Sequence, residues 1–168
     1  MDFKNIFIIG SMGSGKTSIG KMLAKNNNLS FLDTDHEIIR SCGHSIPDIF
    51  KEFGEEHFRS LETEQLKKMN AIENHVISTG GGIILRDNNN KLMKNLGIII
   101  FLDINIDSQV DRVKNRKNRP LLNNKNLKDN LLSLKKIRDP VYKKISNYII
   151  DVSGKERGQV INEIQKII

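Results

Sequence analysis

Five runs of apolar residues are separated along the chain by longer stretches in which apolar positions recur at helical spacing. The predicted strands lie at about residues 4–10, 30–33, 75–79, 98–102 and 147–152. This alternation of strand and helix is typical of a parallel sheet wrapped by helices. The runs at 98–102 and 148–150 have no polar break, which is typical of strands buried on both faces. Ligands of such folds bind beyond the carboxyl ends of the strands, so the residues after each run are the first candidates for chemistry.

A glycine-rich loop follows the first predicted strand. Residues 10–17 read Gly-Ser-Met-Gly-Ser-Gly-Lys-Thr and match the P-loop pattern G-x-x-x-x-G-K-[ST] at every fixed position. With a strand before it and a helical pattern at residues 18–26 after it, the loop lies where backbone N–H groups and a helix N-terminus converge on an anion. We therefore predict a nucleoside triphosphate site in which Lys16 reaches the terminal phosphates and the Thr17 hydroxyl binds Mg²⁺. The predicted ATP-binding residues of the loop are Gly13, Ser14, Gly15, Lys16, Thr17 and Ser18.

Length and cysteine content narrow the class of protein. The 168 residues suit one domain with a substantial core, and no apolar run approaches the ~20 residues that span a bilayer. The first strand begins so early that we expect no signal peptide. The single cysteine, Cys42, excludes an internal disulfide and fits a reducing compartment. We expect a cytoplasmic protein with no membrane segment, and a monomer, which is the default for a chain of this size.

The formal net charge of +7 raises the question of a nucleic-acid partner. The lysines are dispersed, however, and the chain has no Trp and 2 Tyr, so few aromatic side chains are present to stack on bases. We interpret the charge as a solvated surface that also serves anionic small-molecule substrates, and we expect no nucleic acid to bind.

Two segments interrupt the alternating pattern. Residues 45–61 predict two short helices with a break at Gly54. Residues 114–128 are basic, rich in Asn and contain Pro120, which together predict a mobile loop. Neither segment has the composition of an interdomain linker, so we expect a single domain over residues 1–168.

Two carboxylates follow the second predicted strand. Asp33 and Asp35 are two residues apart and point the same way if the strand geometry persists. Beside a bound triphosphate, one can hold Mg²⁺ through water while the other takes a proton from an acceptor hydroxyl. In isolation the pair would be typical of a solvated turn that caps the next helix.

The remaining candidates are glycines and an ion pair. Gly80, Gly81 and Gly82 follow the third predicted strand, where they allow backbone N–H groups to approach a ligand closely. Arg59 and Glu62 share one face of a predicted helix, and such a spacing on its own is more typical of a surface ion pair.

Two arginines lie in the C-terminal half. Arg119, in the predicted mobile loop, can move onto a transferring phosphoryl group and neutralise its developing charge. Arg138 lies near the end of a long basic helix and by itself indicates little.

Taken in order, these motifs resemble those of shikimate kinases. They are the P-loop, Asp-Thr-Asp at 33–35, Phe-Arg-x-x-Glu at 58–62, Gly-Gly-Gly at 80–82, Arg-Pro-Leu-Leu at 119–122 and Arg-x-Pro-x-Tyr at 138–142. The resemblance implies transfer of the γ-phosphoryl group of ATP to the 3-hydroxyl group of shikimate, in the pathway to chorismate, with Mg²⁺ as cofactor. It also implies an α/β P-loop NTPase fold: three layers, α/β/α, with a central five-stranded parallel sheet. The substrate-binding insertion would span about residues 35–62 and the mobile lid about residues 112–126.

The resemblance also implies roles for individual residues. Asp35 would hold the ring hydroxyls of shikimate and act as the base, and Lys16 and Arg119 would complete the catalytic set. The other implied roles are the shikimate carboxylate for Arg59 and Arg138, backbone contacts to shikimate for Gly81 and Gly82, Mg²⁺ for Asp33 with Thr17, the phosphates for Arg119 and the adenine for Arg112. The independent chemistry agrees, because the planar fork of arginine matches the two oxygens of a carboxylate.

Two other functions remain open at this point. The nearest is a P-loop kinase for gluconate or a nucleoside monophosphate, because Arg59 and Arg138 suit a phosphate as well as a carboxylate. The other is a catalytically silent P-loop protein that binds nucleotide as a scaffold, although Lys16, Asp35 and Arg119 are all present.

Overall fold

The computed structural model describes residues 4–114 and 126–168, and these contain one five-stranded sheet. Its strands are β1 (Asn5–Ile9), β2 (Ser30–Asp33), β3 (His75–Ser78), β4 (Ile98–Asp103) and β5 (Tyr148–Asp151). All pairings are parallel, and the strand order is β2-β3-β1-β4-β5. The five predicted strands are confirmed. Because β1 is the central strand, the glycine loop that follows it lies at the middle of the carboxyl edge of the sheet.

Helices follow the strands and cover both faces of the sheet. They are α1 (Lys16–Asn26), α2 (Thr34–Cys42), α3 (Ile46–Lys68), α4 (Asp87–Leu96), α5 (Ile106–Lys114), α6 (Leu127–Ile145) and α7 (Arg157–Gln165), with 3₁₀ turns at Met69–Ala71 and Ile83–Leu85. Alternate residues of β1 supply the two cores: Ile6 and Ile8 pack with α1 and α7, whereas Phe7 and Ile9 pack with α3, α4 and α6. The three-layer α/β/α fold is therefore confirmed.

The expectation that residues 148–150 are buried on both faces is wrong. β5 is an edge strand that pairs with β4 alone, and Tyr148 and Ile149 are 38% and 50% exposed. Among these three residues only Ile150 is buried. The apolar run predicts the strand correctly, but it does not distinguish a central strand from an edge strand.

The segment between β2 and β3 contains α2 and the long, kinked α3. Gly54 interrupts α3 with φ 82° and ψ 171°, a conformation that favours glycine, so the predicted break between two helices is confirmed. Ser45 caps α3 by accepting a bond from the Asp48 N–H, and α2 ends at Gly43 with φ 75°. Most of the predicted mobile loop at 114–128 lies outside the described residues, while Lys114 ends α5 and Leu127 begins α6. Among the helices described, none combines the length and apolarity needed to cross a bilayer.

Candidate active site

The loop between β1 and α1 is shaped by glycines in the left-handed region. Gly10, Gly13 and Gly15 have φ of 144°, 85° and 95°. Gly15 is the residue before α1, and no side chain among the described residues caps the N-terminal N–H groups of α1. Lys16 Nζ bends back over the loop and donates to the carbonyl oxygens of Gly10 (2.8 Å) and Ser11 (3.1 Å). The result is a curled backbone with a helix N-terminus and an ammonium group beside it, which is an anion site.

Asp33 links α1, the helix after the glycine loop, to α2 through hydrogen bonds. Its Oδ2 accepts a 2.8 Å hydrogen bond from Thr17 Oγ1, and its Oδ1 accepts from the backbone N–H groups of Asp35 and His36. The strand geometry assumed for the two aspartates is wrong, because β2 ends at Asp33 and α2 begins at Thr34. Asp33 is the N-cap and Asp35 lies in the first turn, so capping a helix orients them rather than the alternation of a strand.

A cavity of about 560 Å³ connects this loop to the candidate acceptor residues. Its lining includes Gly13, Gly15, Lys16, Thr17, Ser18, Asp33, Asp35, Gly81 and Arg138. A second cavity of about 640 Å³ lies on the other flank of the loop and is lined by Ser14, Arg112, Val152, Lys155 and Arg157 among others. Gly13, Gly15, Ser18 and Arg157 line both, so the loop is the boundary between them.

The glycine turn after β3 is packed against all its neighbours. A Cβ at Gly80 would lie 2.5 Å from Asp35 Oδ1, and a Cβ at Gly82 would overlap the Arg59 guanidinium. A Cβ at Gly81 would lie 3.4 Å from the Gly10 carbonyl oxygen and 3.5 Å from both the Arg138 guanidinium and the Tyr142 hydroxyl. The turn therefore brings Asp35, Arg59 and Arg138 to one place, although they come from α2, α3 and α6.

Tyr142 holds this turn from behind. It is fully buried, its ring stacks on Phe101 at 4.8 Å between centroids, and its hydroxyl donates a 2.5 Å bond to the Gly81 carbonyl. Burial raises the pKa of Tyr142 to about 12, so the phenol stays protonated and keeps donating. Thr34 Oγ1 fixes the turn from the other side by accepting from the Gly80 N–H at 3.1 Å.

The ion pair between Arg59 and Glu62 is buried, which corrects the expectation of a surface pair. Arg59 is 8% exposed and Glu62 is fully buried, and Arg59 Nη1 donates to Glu62 Oε2 at 2.8 Å. Arg59 Nε and Nη2 both donate to Glu55 Oε1, at 3.2 and 2.8 Å. Burial lowers the pKa of Arg59, but the bonds to these two carboxylates outweigh it, so the net shift is upward.

Glu62 is a buried carboxyl group with a strongly raised pKa. Loss of solvent raises its pKa to about 7 despite the bond from Arg59, and the nearby Asp35 carboxylate also raises it. Among the described residues, none hydrogen bonds to its Oε1. Sequence spacing gave no sign of this perturbation, because an i, i+3 pair has the same spacing on a buried face as on an exposed one.

The predicted residues fall into three groups. The loop residues, Asp33, Asp35, Gly81 and Arg138 line one or both cavities, whereas Arg59 and Gly82 line neither and lie close to each other. Arg112 lines the 640 Å³ cavity and donates to the carbonyl oxygens of Val152 (2.7 Å) and Lys155 (3.4 Å). Arg119 lies outside the described residues.

No role was predicted for Lys155 or Arg157, although both lie in the segment that flanks adenine in the family that the sequence resembles. Both follow β5 and line the 640 Å³ cavity, and Arg157 also reaches the 560 Å³ cavity. The rule that ligands bind beyond the carboxyl ends of parallel strands was available and would have included them. No fixed motif covers these residues, so their position in the chain, and not a residue pattern, was the signal for them.

Comparisons with known proteins agree along the length of the chain. A family model described as shikimate kinase matches residues 12–168. The shikimate kinase of Ralstonia nicotianae (strain ATCC BAA-1114 / GMI1000) is 37% identical over 164 residues, which is 98% of this chain and 86% of that protein. That of Xylella fastidiosa (strain M12) is 44% identical over 146 residues, 87% of this chain and 81% of the relative. The structure of shikimate kinase from Acinetobacter baumannii in complex with shikimate superposes with a TM-score of 0.92 at 37% identity, and the match covers 99% of this chain and 93% of that one. The similarity therefore concerns the whole site and not the nucleotide loop alone.

Proposed function

We propose, since the chain belongs to the shikimate kinase family, that it transfers the γ-phosphoryl group of ATP to the 3-hydroxyl group of shikimate. One observation carries the proposal. The 560 Å³ cavity places the phosphate-binding loop in direct continuity with a carboxylate, Asp35, and a guanidinium, Arg138. An acceptor with hydroxyl groups at one end and a carboxylate at the other fits that arrangement.

The ATP side consists of the loop and the residues after β5. The triphosphate would lie against the N–H groups of residues 13–18, with Lys16 turning from its carbonyl partners to the terminal phosphates. The nucleoside would occupy the 640 Å³ cavity, where Arg112 and Arg157 are available to it. Arg119 remains a prediction as the cation that moves onto the phosphoryl group.

On the acceptor side, Arg138 and Arg59 would bind the carboxylate and Asp35 the ring hydroxyls. Support comes from the glycine turn, because a Cβ at Gly81 or Gly82 would contact one guanidinium or the other. The two arginines thus flank the same short backbone segment. In the described structure Glu55 accepts two bonds from Arg59, so the acceptor carboxylate would replace Glu55 there.

Mg²⁺ is the proposed cofactor, and Thr17 and Asp33 are its proposed protein-side ligands. The Thr17 hydroxyl and an Asp33 oxygen are 2.8 Å apart at the edge of the cavity, and both are the hard oxygen donors that Mg²⁺ prefers. Within residues 4–114 and 126–168, no group of three or more His, Cys, Asp or Glu side chains could hold a metal alone. That fits an ion which uses one or two protein ligands together with phosphates and water. When bound, Mg²⁺ would neutralise charge on the phosphates.

The protein's part in the reaction is mainly to position groups and to stabilise charge. Lys16 would stabilise charge that develops on the transferring group, while Arg138 and Asp35 hold the acceptor in line. Asp35 would either take the hydroxyl proton or only orient the hydroxyl. A loose transfer transition state needs little help from a base, and kinetics of an Asp35→Asn variant distinguish the two roles.

We also propose a single domain in which about residues 35–62 form the substrate-binding insertion and about residues 112–126 the lid. α2 and most of α3 form the first segment, whereas most of the second lies outside the described residues. The proposed state is a cytoplasmic monomer that binds ATP and shikimate, in keeping with one cysteine and a sequence that contains no long apolar run.

The decisive experiment measures ADP release with ATP and Mg²⁺ while the acceptor is varied. Shikimate, gluconate and a panel of nucleoside monophosphates are compared at equal concentration. We expect turnover with shikimate alone. Turnover with a different acceptor, and none with shikimate, would leave the nucleotide site in place and refute the roles given to Asp35, Arg59 and Arg138.

A further inference from the structure

The glutamine Gln109 of α5 touches the phosphate-binding loop, although nothing in the motifs marks it. Its Nε2 donates a 2.9 Å hydrogen bond to the carbonyl oxygen of Met12, 97 residues away in sequence. Gln109 is 2% exposed, so this bond is shielded from water. The assignment of its amide nitrogen follows from chemistry, since a carbonyl oxygen needs a donor opposite it.

This bond fixes the orientation of one peptide unit in the loop. A trans peptide is planar, so the Met12 carbonyl and the Gly13 N–H point in opposite directions. With the carbonyl held toward α5, the Gly13 N–H is directed away from α5. Gly13 lines both cavities of the site, and an added Cβ there would lie 3.1 Å from Val113 on α5. α5 thus closes one side of this peptide and leaves its donor for the phosphate side.

The oxygen of the same amide, Gln109 Oε1, argues that this side chain does more than fill space. Among the described residues, none donates to the buried Gln109 Oε1. An unsatisfied buried acceptor costs free energy that a methionine of similar shape would avoid. A side chain kept only to fill space would not need the donor. The same helix carries Arg112 to the nucleotide cavity, so α5 contacts both the loop and the proposed nucleoside position.

We propose that Gln109 is a positioning residue for ATP, which holds the Met12–Gly13 peptide so that the Gly13 N–H faces the phosphates. This inference rests on the proposed function only in taking the bound nucleotide to be ATP. It predicts that loss of the Gln109 donor weakens ATP binding and leaves acceptor binding alone.

The test is the affinity of Mg²⁺–ATP for the protein without acceptor, measured by calorimetry, followed by the steady-state KM of each substrate. Gln109→Met keeps the length and removes the donor, and it should weaken ATP roughly fivefold, the value of one hydrogen bond. The KM for shikimate should stay at the wild-type value. Gln65→Met, at another buried glutamine that lines neither cavity, is the matched control and should change neither KM.

Gln109→Glu adds a second measurement, the pH dependence of ATP affinity, which should not change if Gln109 only fills space. Its carboxylate faces the Met12 carbonyl and should weaken ATP more than Met does at pH 8, and protonation at lower pH restores a donor. The ratio of variant to wild-type ATP affinity should therefore rise toward one as the pH falls from 8 to 6. An unchanged ATP affinity in Gln109→Met, or equal changes in both KM values, would overturn the inference. Failure of the wild-type protein to bind ATP would instead overturn the proposed function, so the two failures are distinguishable.

Discussion

The nucleotide side and the acceptor side of the site are built in different ways. The nucleotide side centres on one run of eight residues, 10–17, whose anion donors are backbone groups and the start of α1. The acceptor side collects side chains from α2, α3 and α6 around the turn at Gly80–Gly82, and one of its charges, Arg59, is already paired with Glu55 and Glu62. Local sequence therefore specifies the first side, whereas packing between distant segments specifies the second. We therefore expect substitutions on the two sides to have different effects on the kinetics.

The largest expected effect is on the nucleotide side, at the one charged side chain of the loop. Lys16→Ala should lower kcat by roughly 10²–10³-fold, because it removes a cation from the developing charge. It should leave the fold intact, since Lys16 lies in the loop, where it donates to the carbonyl oxygens of Gly10 and Ser11, and is not part of the hydrophobic core. Lys25→Ala, an exposed lysine on the same helix, is the control. A near-normal kcat would refute the assignment of the loop.

On the acceptor side the largest effect should come from one added methyl group. Gly82 has φ −100°, so alanine meets no backbone strain there, but its Cβ would overlap the buried Arg59 guanidinium. Gly82→Ala should displace Arg59 and raise the KM for shikimate about tenfold, with little change in the KM for ATP. Equal changes in both KM values would show that the two sides are not independent.

The same contrast explains what the sequence could predict. The glycine loop, the five strands and the break at Gly54 were predicted correctly, because each depends on residues adjacent in the chain. The burial of Arg59 and Glu62 was not, since it depends on the glycine turn 20 residues away in sequence. Neither pair spacing nor propensity carries that information.

Two further errors have local causes. The predicted alignment of Asp33 and Asp35 depended on strand geometry continuing past Asp33, but α2 starts directly after Asp33, and Asp is among the best N-cap residues. The apolar run of β5 was read as doubly buried, and no single run distinguishes a central strand from an edge strand. Arg157, which lines both cavities, was given no role because it belongs to no fixed motif.

The buried carboxyl group of the acceptor side should make stability depend on pH. The pKa of Glu62 is raised from 4.5 to about 7 in the folded state, so the folded protein binds more protons than the unfolded chain between these values. Its contribution to the free energy of unfolding is thus largest below pH 4.5 and falls as the pH rises toward about 7, by at most about 3 kcal/mol.

Urea unfolding of wild type and Glu62→Gln from pH 4.5 to 8 measures this contribution. The wild-type free energy of unfolding, minus that of the variant, should decline across this range. Glu64→Gln, at an exposed position on the same helix, should give a flat difference. Parallel curves for wild type and Glu62→Gln would mean that Glu62 is ionised throughout.

The smallest expected effect concerns Glu55, whose carboxylate pairs with Arg59. Glu55 accepts bonds from Nε and Nη2 of Arg59, and its side chain is 61% exposed, so replacing it with a substrate carboxylate costs only a solvated ion pair. Glu55→Gln weakens that competition and should lower the KM for shikimate two- to threefold, within the modest range of exposed pairs. Glu64→Gln again serves as control, and the KM for ATP should not change. A higher KM for shikimate would mean that Glu55 instead holds Arg59 in its binding orientation. The acceptor side would then depend on Glu55 and Glu62 together, and its contrast with the nucleotide side would be sharper still.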